Sequence, residues 1–139
     1  MSRSEEETRK IAADIAGKLP DGAVIALKGG LGAGKTTFVR GMAKGLDIDP
    51  DEVSSPTFSL MNEYMGGRGR LCHFDMYRIN SEEDMYFAGF YDSIDEGAFL
   101  AVEWSENVAD YLPEDTVTVT LETVSQNVRR ITVEGMEQL

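Results

Sequence analysis

The apolar positions change period along the chain, and each change marks an element. Ile11, Ala12, Ile15, Ala16 and Leu19 recur at three- and four-residue spacing, which puts them on one buried stripe of a helix. Ser4 with Glu7 three residues later is a capping box, so a first helix is expected from about residue 5 to 18. Pro20-Asp21-Gly22 turns the chain into Ala23-Val24-Ile25-Ala26-Leu27, a short apolar run suited to a central parallel strand covered on both faces. Helical spacing returns at Phe38, Val39, Met42, Ala43 and Leu46, and Gly45, Asp47 and Pro50 stop that helix. Two strands, Phe58 to Tyr64 and Arg70 to Asp75, flank the glycine-rich hairpin loop Met65 to Gly69. Ser81-Glu82-Glu83-Asp84 opens a short helix, and Phe99 to Glu103 is another buried strand. Ser105 is placed to cap a helix ending before Pro113, and Thr116 to Thr123 and Arg129 to Val133 alternate as strands. Strands alternating with helices, then a β-rich end, indicate an α/β three-layer sandwich whose mixed, mostly parallel sheet carries antiparallel strands at the C-terminal end.

Between the first strand and the second helix lies Gly29-Gly30-Leu31-Gly32-Ala33-Gly34-Lys35-Thr36, which fits the phosphate-loop pattern G-x-x-x-x-G-K-[ST] without mismatch. Clustered phosphate charge must be met by donors at contact distance, and glycines let backbone N–H groups approach without a Cβ in the way. Lys35 adds a mobile positive charge, and the helix starting near it points its N-terminal dipole at the same place. Strand before and helix after are the context this motif requires. A nucleotide is therefore expected against Gly29, Leu31, Gly32, Ala33, Gly34, Lys35, Thr36 and Thr37, with the Thr36 hydroxyl placed to ligate Mg²⁺.

Length and charge narrow the class. The 139 residues suffice for one domain, 1–139, with its own core. Net charge is −12, from 13 Lys and Arg against 25 Asp and Glu, which disfavours a direct, sequence-tolerant grip on nucleic acid and suits a basic protein partner. One cysteine, Cys72, excludes an internal disulfide, and Met1-Ser2-Arg3-Ser4 lacks a signal-peptide core. A cytoplasmic address is expected, with no membrane partner, since no apolar run is long enough to span a bilayer.

Binding phosphate is not hydrolysis, and two acids have the positions hydrolysis needs. Asp75 closes the apolar run Leu71-Cys72-His73-Phe74, and Glu103 closes Phe99-Leu100-Ala101-Val102. Carboxyl ends of strands line the ligand crevice of an α/β sheet, so both acids either face the site, to hold a metal shell or orient water, or cap a solvated strand end.

The ordered set Gly32 to Gly41, Ser55-Pro56-Thr57-Phe58-Ser59-Leu60, His73-Phe74-Asp75-Met76-Tyr77-Arg78 and Val102-Glu103-Trp104 resembles the successive motifs of the TsaE (YjeE) family. These are bacterial ATPases required for the threonylcarbamoyladenosine modification of tRNA. The resemblance implies a phosphate-loop NTPase-like fold, with ATP or ADP in the loop and Mg²⁺ on Thr36. It implies that Asp75 is needed for hydrolysis and that Glu103 stands at the metal as the Walker B carboxylate, so that Asp75, Glu103 and Lys35 form the catalytic set. It also implies a switch at Ser55 to Phe58 and action with the partner proteins TsaB and TsaD, tRNA being met only indirectly. Gly30 stands where many members have Asp, and Cys72 where Tyr usually precedes the histidine.

Other polar and aromatic residues have ordinary explanations. His73, the sole histidine, lies inside a strand pattern, which favours a satisfied structural role. Cys72 reads as a small buried hydrophobe. Trp104, Arg78, Arg129 and Arg130 are compatible with nucleotide or partner contacts and equally with packing or edge-strand roles. Two other functions use the same loop. A small-molecule kinase needs an arginine-bearing lid, and none is apparent. A stand-alone nucleotide switch would have the conformation of residues 54–60 as its output, and the absence of N-K-x-D favours adenine over guanine.

Overall fold

The computed structural model describes residues 1–30, 34–53, 61–76, 79, 81–103 and 105–136, with the backbone alone for residues 105–107. Helix α1 (Glu5–Lys18) starts where the capping box places it: the Ser4 side chain accepts from the Glu7 N–H, and Glu5, Glu6 and Glu7 fill the first turn. Strand β1 (Val24–Lys28) leads to α2 (Lys35–Gly45), then β2 (Met61–Gly66) and β3 (Gly69–Asp75) form a hairpin. Two six-residue helices, α3 (Glu82–Phe87) and α4 (Phe90–Asp95), precede β4 (Phe99–Glu103). A 3₁₀ segment, Ser105–Tyr111, then leads to β5 (Val117–Thr123) and β6 (Arg129–Glu134).

The six strands form one sheet in the order β2-β3-β4-β1-β5-β6. The central pairs β3–β4, β4–β1 and β1–β5 are parallel, and both edge pairs, β2–β3 and β5–β6, are antiparallel. Strand alternation divides the core into two layers. Ile25, Leu27, Leu71, Phe99, Ala101, Val117 and Val119 meet α1 and α2 on one face. Val24, Cys72, Phe74, Leu100 and Val102 meet Met85, Phe90 and Val108 on the other. The expected three-layer α/β sandwich is the observed one, with an antiparallel pair at each edge.

Helices α1 and α2 pack nearly backbone to backbone. A Cβ on Gly41 would stand 2.3 Å from the Arg9 carbonyl oxygen and 2.7 Å from the Ala12 Cβ, and one on Gly45 would stand 2.6 Å from the Ala13 oxygen. Gly45 thus permits close approach besides ending the helix. Arg68 ties the β2–β3 turn to α1 by donating to the Ala16 and Leu19 carbonyls, both at 2.8 Å, where the helix end leaves acceptors unpaired.

Three local expectations change. The hairpin loop is tighter than Met65 to Gly69, because the ladder runs to the pair Gly66 and Gly69 and leaves Gly67 and Arg68 as the turn. The helix expected after Ser105 is 3₁₀ and kinked at Val108, where φ is −129° and ψ 19°. Helix α4 was not foreseen, since six residues after the left-handed Gly89 (φ 83°) are too few to show a helical period. The start of the strand expected from Phe58 lies outside the described residues.

Candidate functional site

Everything the sequence marked as reactive, where described, converges on the carboxyl edge of the central strands. Gly34 is the N-cap of α2, left-handed at φ 100°, and its carbonyl accepts the first helical bond from the Phe38 N–H at 2.9 Å. Among the described residues no side chain caps this end, and first-turn N–H groups with the positive end of the dipole are what a helix N-terminus offers an anion. Lys35 follows directly and is 8% exposed at its side chain. Thr36 and Thr37 lie half-buried on the same turn.

The parallel register brings the two acids together. Asp75 and Glu103 are direct Cα partners across β3 and β4, and Glu103 is also the partner of Leu27 at the end of β1. Counting by twos from Leu71 and Phe99 puts His73, Asp75, Ala101 and Glu103 on the α1–α2 face. Both strand-end acids therefore lie on the same face of the sheet, Glu103 buried and Asp75 half-buried.

Glu103 is only 9% exposed and each of its oxygens has a partner. Lys35 Nζ lies 4.0 Å from Oε1, and His73 Nε2 lies 2.5 Å from Oε2. A carboxylate only accepts, so Nε2 carries the proton in this contact. The imidazole is wholly buried, and its Nδ1 has no hydrogen-bond partner among the described residues. His73 is thus the buried structural residue expected, except that only one of its two nitrogens is satisfied among the described residues, and that one holds Glu103. The Met76 N–H donates to the Glu103 carbonyl at 3.0 Å, tying the exit of β3 to the end of β4.

The available donors suit a hard cation. A threonine hydroxyl and one or two carboxylates are what Mg²⁺ uses when phosphate oxygens and water complete its octahedron. Among the described residues no group of three or more His, Cys, Asp or Glu forms an all-protein metal cage.

Beside the α2 N-terminus opens a cleft of about 290 Å³ lined by Ser4, Glu5, Thr8, Gly34, Lys35, Thr36, Thr37, Gln126, Asn127 and Arg129. Its far wall is built from chain ends. Ser2 and Arg129 exchange backbone hydrogen bonds at 2.9 and 2.8 Å, and Ser2 Oγ meets Thr8 Oγ1 at 2.6 Å. Arg129 also donates to the Ser125, Gln126 and Val128 carbonyls, fixing the β5–β6 turn against the cleft. Arg130 instead pairs on the surface with Glu122 at 3.7 Å. Nothing in the sequence pattern marked Ser4, Thr8, Gln126 or Asn127 as cleft residues, because polar residues at helix starts and turns look alike whether or not a ligand is near.

Cys72 is fully buried on the opposite face, and burial pushes its thiol above the ordinary value; it is the inert small hydrophobe expected. Leu31, Gly32 and Ala33 of the phosphate loop, Ser55 to Phe58, Arg78 and Trp104 lie outside the described residues.

Comparison with known proteins gives one consistent answer. The model of the family described as threonylcarbamoyl adenosine biosynthesis protein TsaE matches residues 2–131. The tRNA threonylcarbamoyladenosine biosynthesis protein TsaE of Treponema pallidum is 41% identical over 133 residues, covering 96% of this chain and 97% of its own. The protein of the same name from Aquifex aeolicus is 43% identical over 131 residues, covering 94% and 90%. The crystal structure of Bacillus subtilis YdiB superposes with a TM-score of 0.70 at 33% identity, covering 94% of this chain and 79% of that one.

Proposed function

Because the chain belongs to the family of threonylcarbamoyl adenosine biosynthesis proteins TsaE, we propose that it binds ATP with Mg²⁺ and hydrolyses it to ADP and phosphate during the threonylcarbamoyladenosine modification of tRNA, acting on a TsaB–TsaD complex that itself holds the tRNA. The observation carrying the hydrolytic part is the placement of Glu103, a buried carboxylate between Lys35 and His73 with Asp75 as its register partner, beside the open N-terminus of α2.

Each residue's task follows from its position. The α2 N–H groups and Lys35 hold the β- and γ-phosphates, while Thr36 and Glu103 offer oxygen ligands to the metal. Mg²⁺ held by Thr36 and Glu103 would supply positive charge against the charge that builds up in the transition state. Lys35 has two anionic partners to choose between, Glu103 without nucleotide and phosphate with it, so it stays compensated in both states. Asp75, next to Glu103 on the same face, accepts from and orients the attacking water. His73 fixes the Glu103 carboxylate from behind and leaves its other oxygen to the site. The cleft between α1 and the β5–β6 turn takes the nucleoside.

Action without direct RNA contact fits the net charge of −12, and no helix among the described residues is long and apolar enough to cross a membrane. The test separates binding from chemistry. Lys35→Ala is expected to abolish ATP binding, whereas Asp75→Ala is expected to bind ATP normally and fail to hydrolyse it. Equal loss of binding in both would refute this division of roles.

A further inference from the structure

The net charge is not spread along the chain. Residues 79–128 contain twelve Asp and Glu and no Lys, Arg or His, so this stretch carries the whole net charge of −12 and the remainder is neutral. The fold gathers much of it in one layer, because α3, α4 and the 3₁₀ segment all cover the sheet face opposite α1 and α2. There Glu82, Glu83, Asp92 and Asp95 are exposed, and Glu96 at the end of α4 pairs with Arg70 of β3.

Two adjacent aromatics stand in this acidic field. Tyr86 is 62% exposed and Phe87 82%. Helix α3 anchors itself with Met85 alone, which is buried in the core, and the Ser81 side chain caps it by accepting from the Asp84 N–H. Tyr91 lies against Tyr86 with ring centroids 4.6 Å apart, holding that ring in place. A phenylalanine ring left in water forgoes its burial free energy, and Phe87, 82% exposed, contributes little to folding by burial. Adjacent exposed aromatics on a fixed helix are the usual anchors of an interface.

Charge identifies the occupant. Nucleic acid and anionic lipid are repelled by this surface, and a second copy of the chain would bring acids onto acids across a two-fold axis. We propose that the α3–α4 face docks a protein partner that receives Tyr86 and Phe87 in an apolar pocket rimmed by Lys and Arg. The inference rests on the reading that this chain acts on a TsaB–TsaD complex, and it assigns the surface used. Met76, the residue after Asp75, donates its N–H to the Glu103 carbonyl at 3.0 Å, and α3 begins six residues further along the chain at Glu82.

The experiment measures affinity of the full-length chain for purified TsaB–TsaD complex, with ATP present, as a function of salt. The double variant Tyr86→Ser/Phe87→Ser is expected to weaken binding about thirty-fold. Glu82→Lys/Glu83→Lys is expected to slow association and flatten the salt dependence. Met65→Ser, which alters an exposed methionine on β2, is expected to change nothing, and ATP binding by the chain alone should be intact in all variants. Unchanged affinity in both α3 variants overturns the surface assignment while leaving the functional reading in place. Absence of binding by the unaltered chain overturns the functional reading, and the surface assignment with it.

Discussion

Replacing His73 with alanine tests how the site is held. The imidazole is fully buried, and its Nε2 donates to Glu103 at 2.5 Å, so the substitution removes a charge-assisted hydrogen bond and leaves a space under a carboxylate that is 9% exposed. Such a bond contributes about 1.5–3 kcal/mol, and the space left by the ring adds to that loss. For a chain of this size a loss near 3 kcal/mol lowers Tm by about 10 °C. Glutamine keeps a donor near the place of Nε2 and should recover at least half of that. Freed from His73, the carboxylate can turn toward Lys35 and away from the metal position, so the Mg²⁺ concentration needed for half-maximal ATP binding should rise about ten-fold or more in His73→Ala. The assays are thermal unfolding and ATP binding titrated with Mg²⁺, across wild type, His73→Ala and His73→Gln. An alanine variant melting within about 2 °C of wild type, or a glutamine variant no better than alanine, would refute the reasoning.

Other consequences follow from single contacts. Gly41→Ala gains about 1 kcal/mol of helix propensity but sets a Cβ 2.3 Å from the Arg9 oxygen, so net destabilisation of about 1–2 kcal/mol by denaturant unfolding is expected. Gly34→Ala puts a Cβ on a residue at φ 100°; strain of about 1–2 kcal/mol and a weakened nucleotide Kd are expected, measured by unfolding and calorimetry. Cys72, buried with a raised thiol, should resist alkylation at neutral pH in the native protein and react on unfolding, as mass spectrometry would show.

How much of this the sequence shows depends on how local each signal is. Helix α1 was legible to its end residues because its cap, acidic first turn and apolar stripe all lie within fifteen residues of one another. The strand–loop–helix around Lys35 was legible because one octapeptide meets several demands at once. The end of the sheet at which Asp75 and Glu103 lie could be argued from the ends of two apolar runs, but their face and direct pairing depend on the β3–β4 register. The same register carries His73 across to Glu103, and a lone histidine in an apolar run gives no sign of it. Helices α3 and α4 are too short to show a period, and the turn at Gly67–Arg68 depends on how far the ladder closes. The cleft near Arg129 joins the two ends of the chain, a contact no local pattern encodes.

The most direct test of the proposed function is ATP hydrolysis by the purified chain, alone and with TsaB, TsaD and tRNA, with Asp75→Ala as the control. The account predicts turnover that rises with the partners and is lost in Asp75→Ala. Tight nucleotide binding with no turnover, or turnover indifferent to both partners and Asp75, would contradict it.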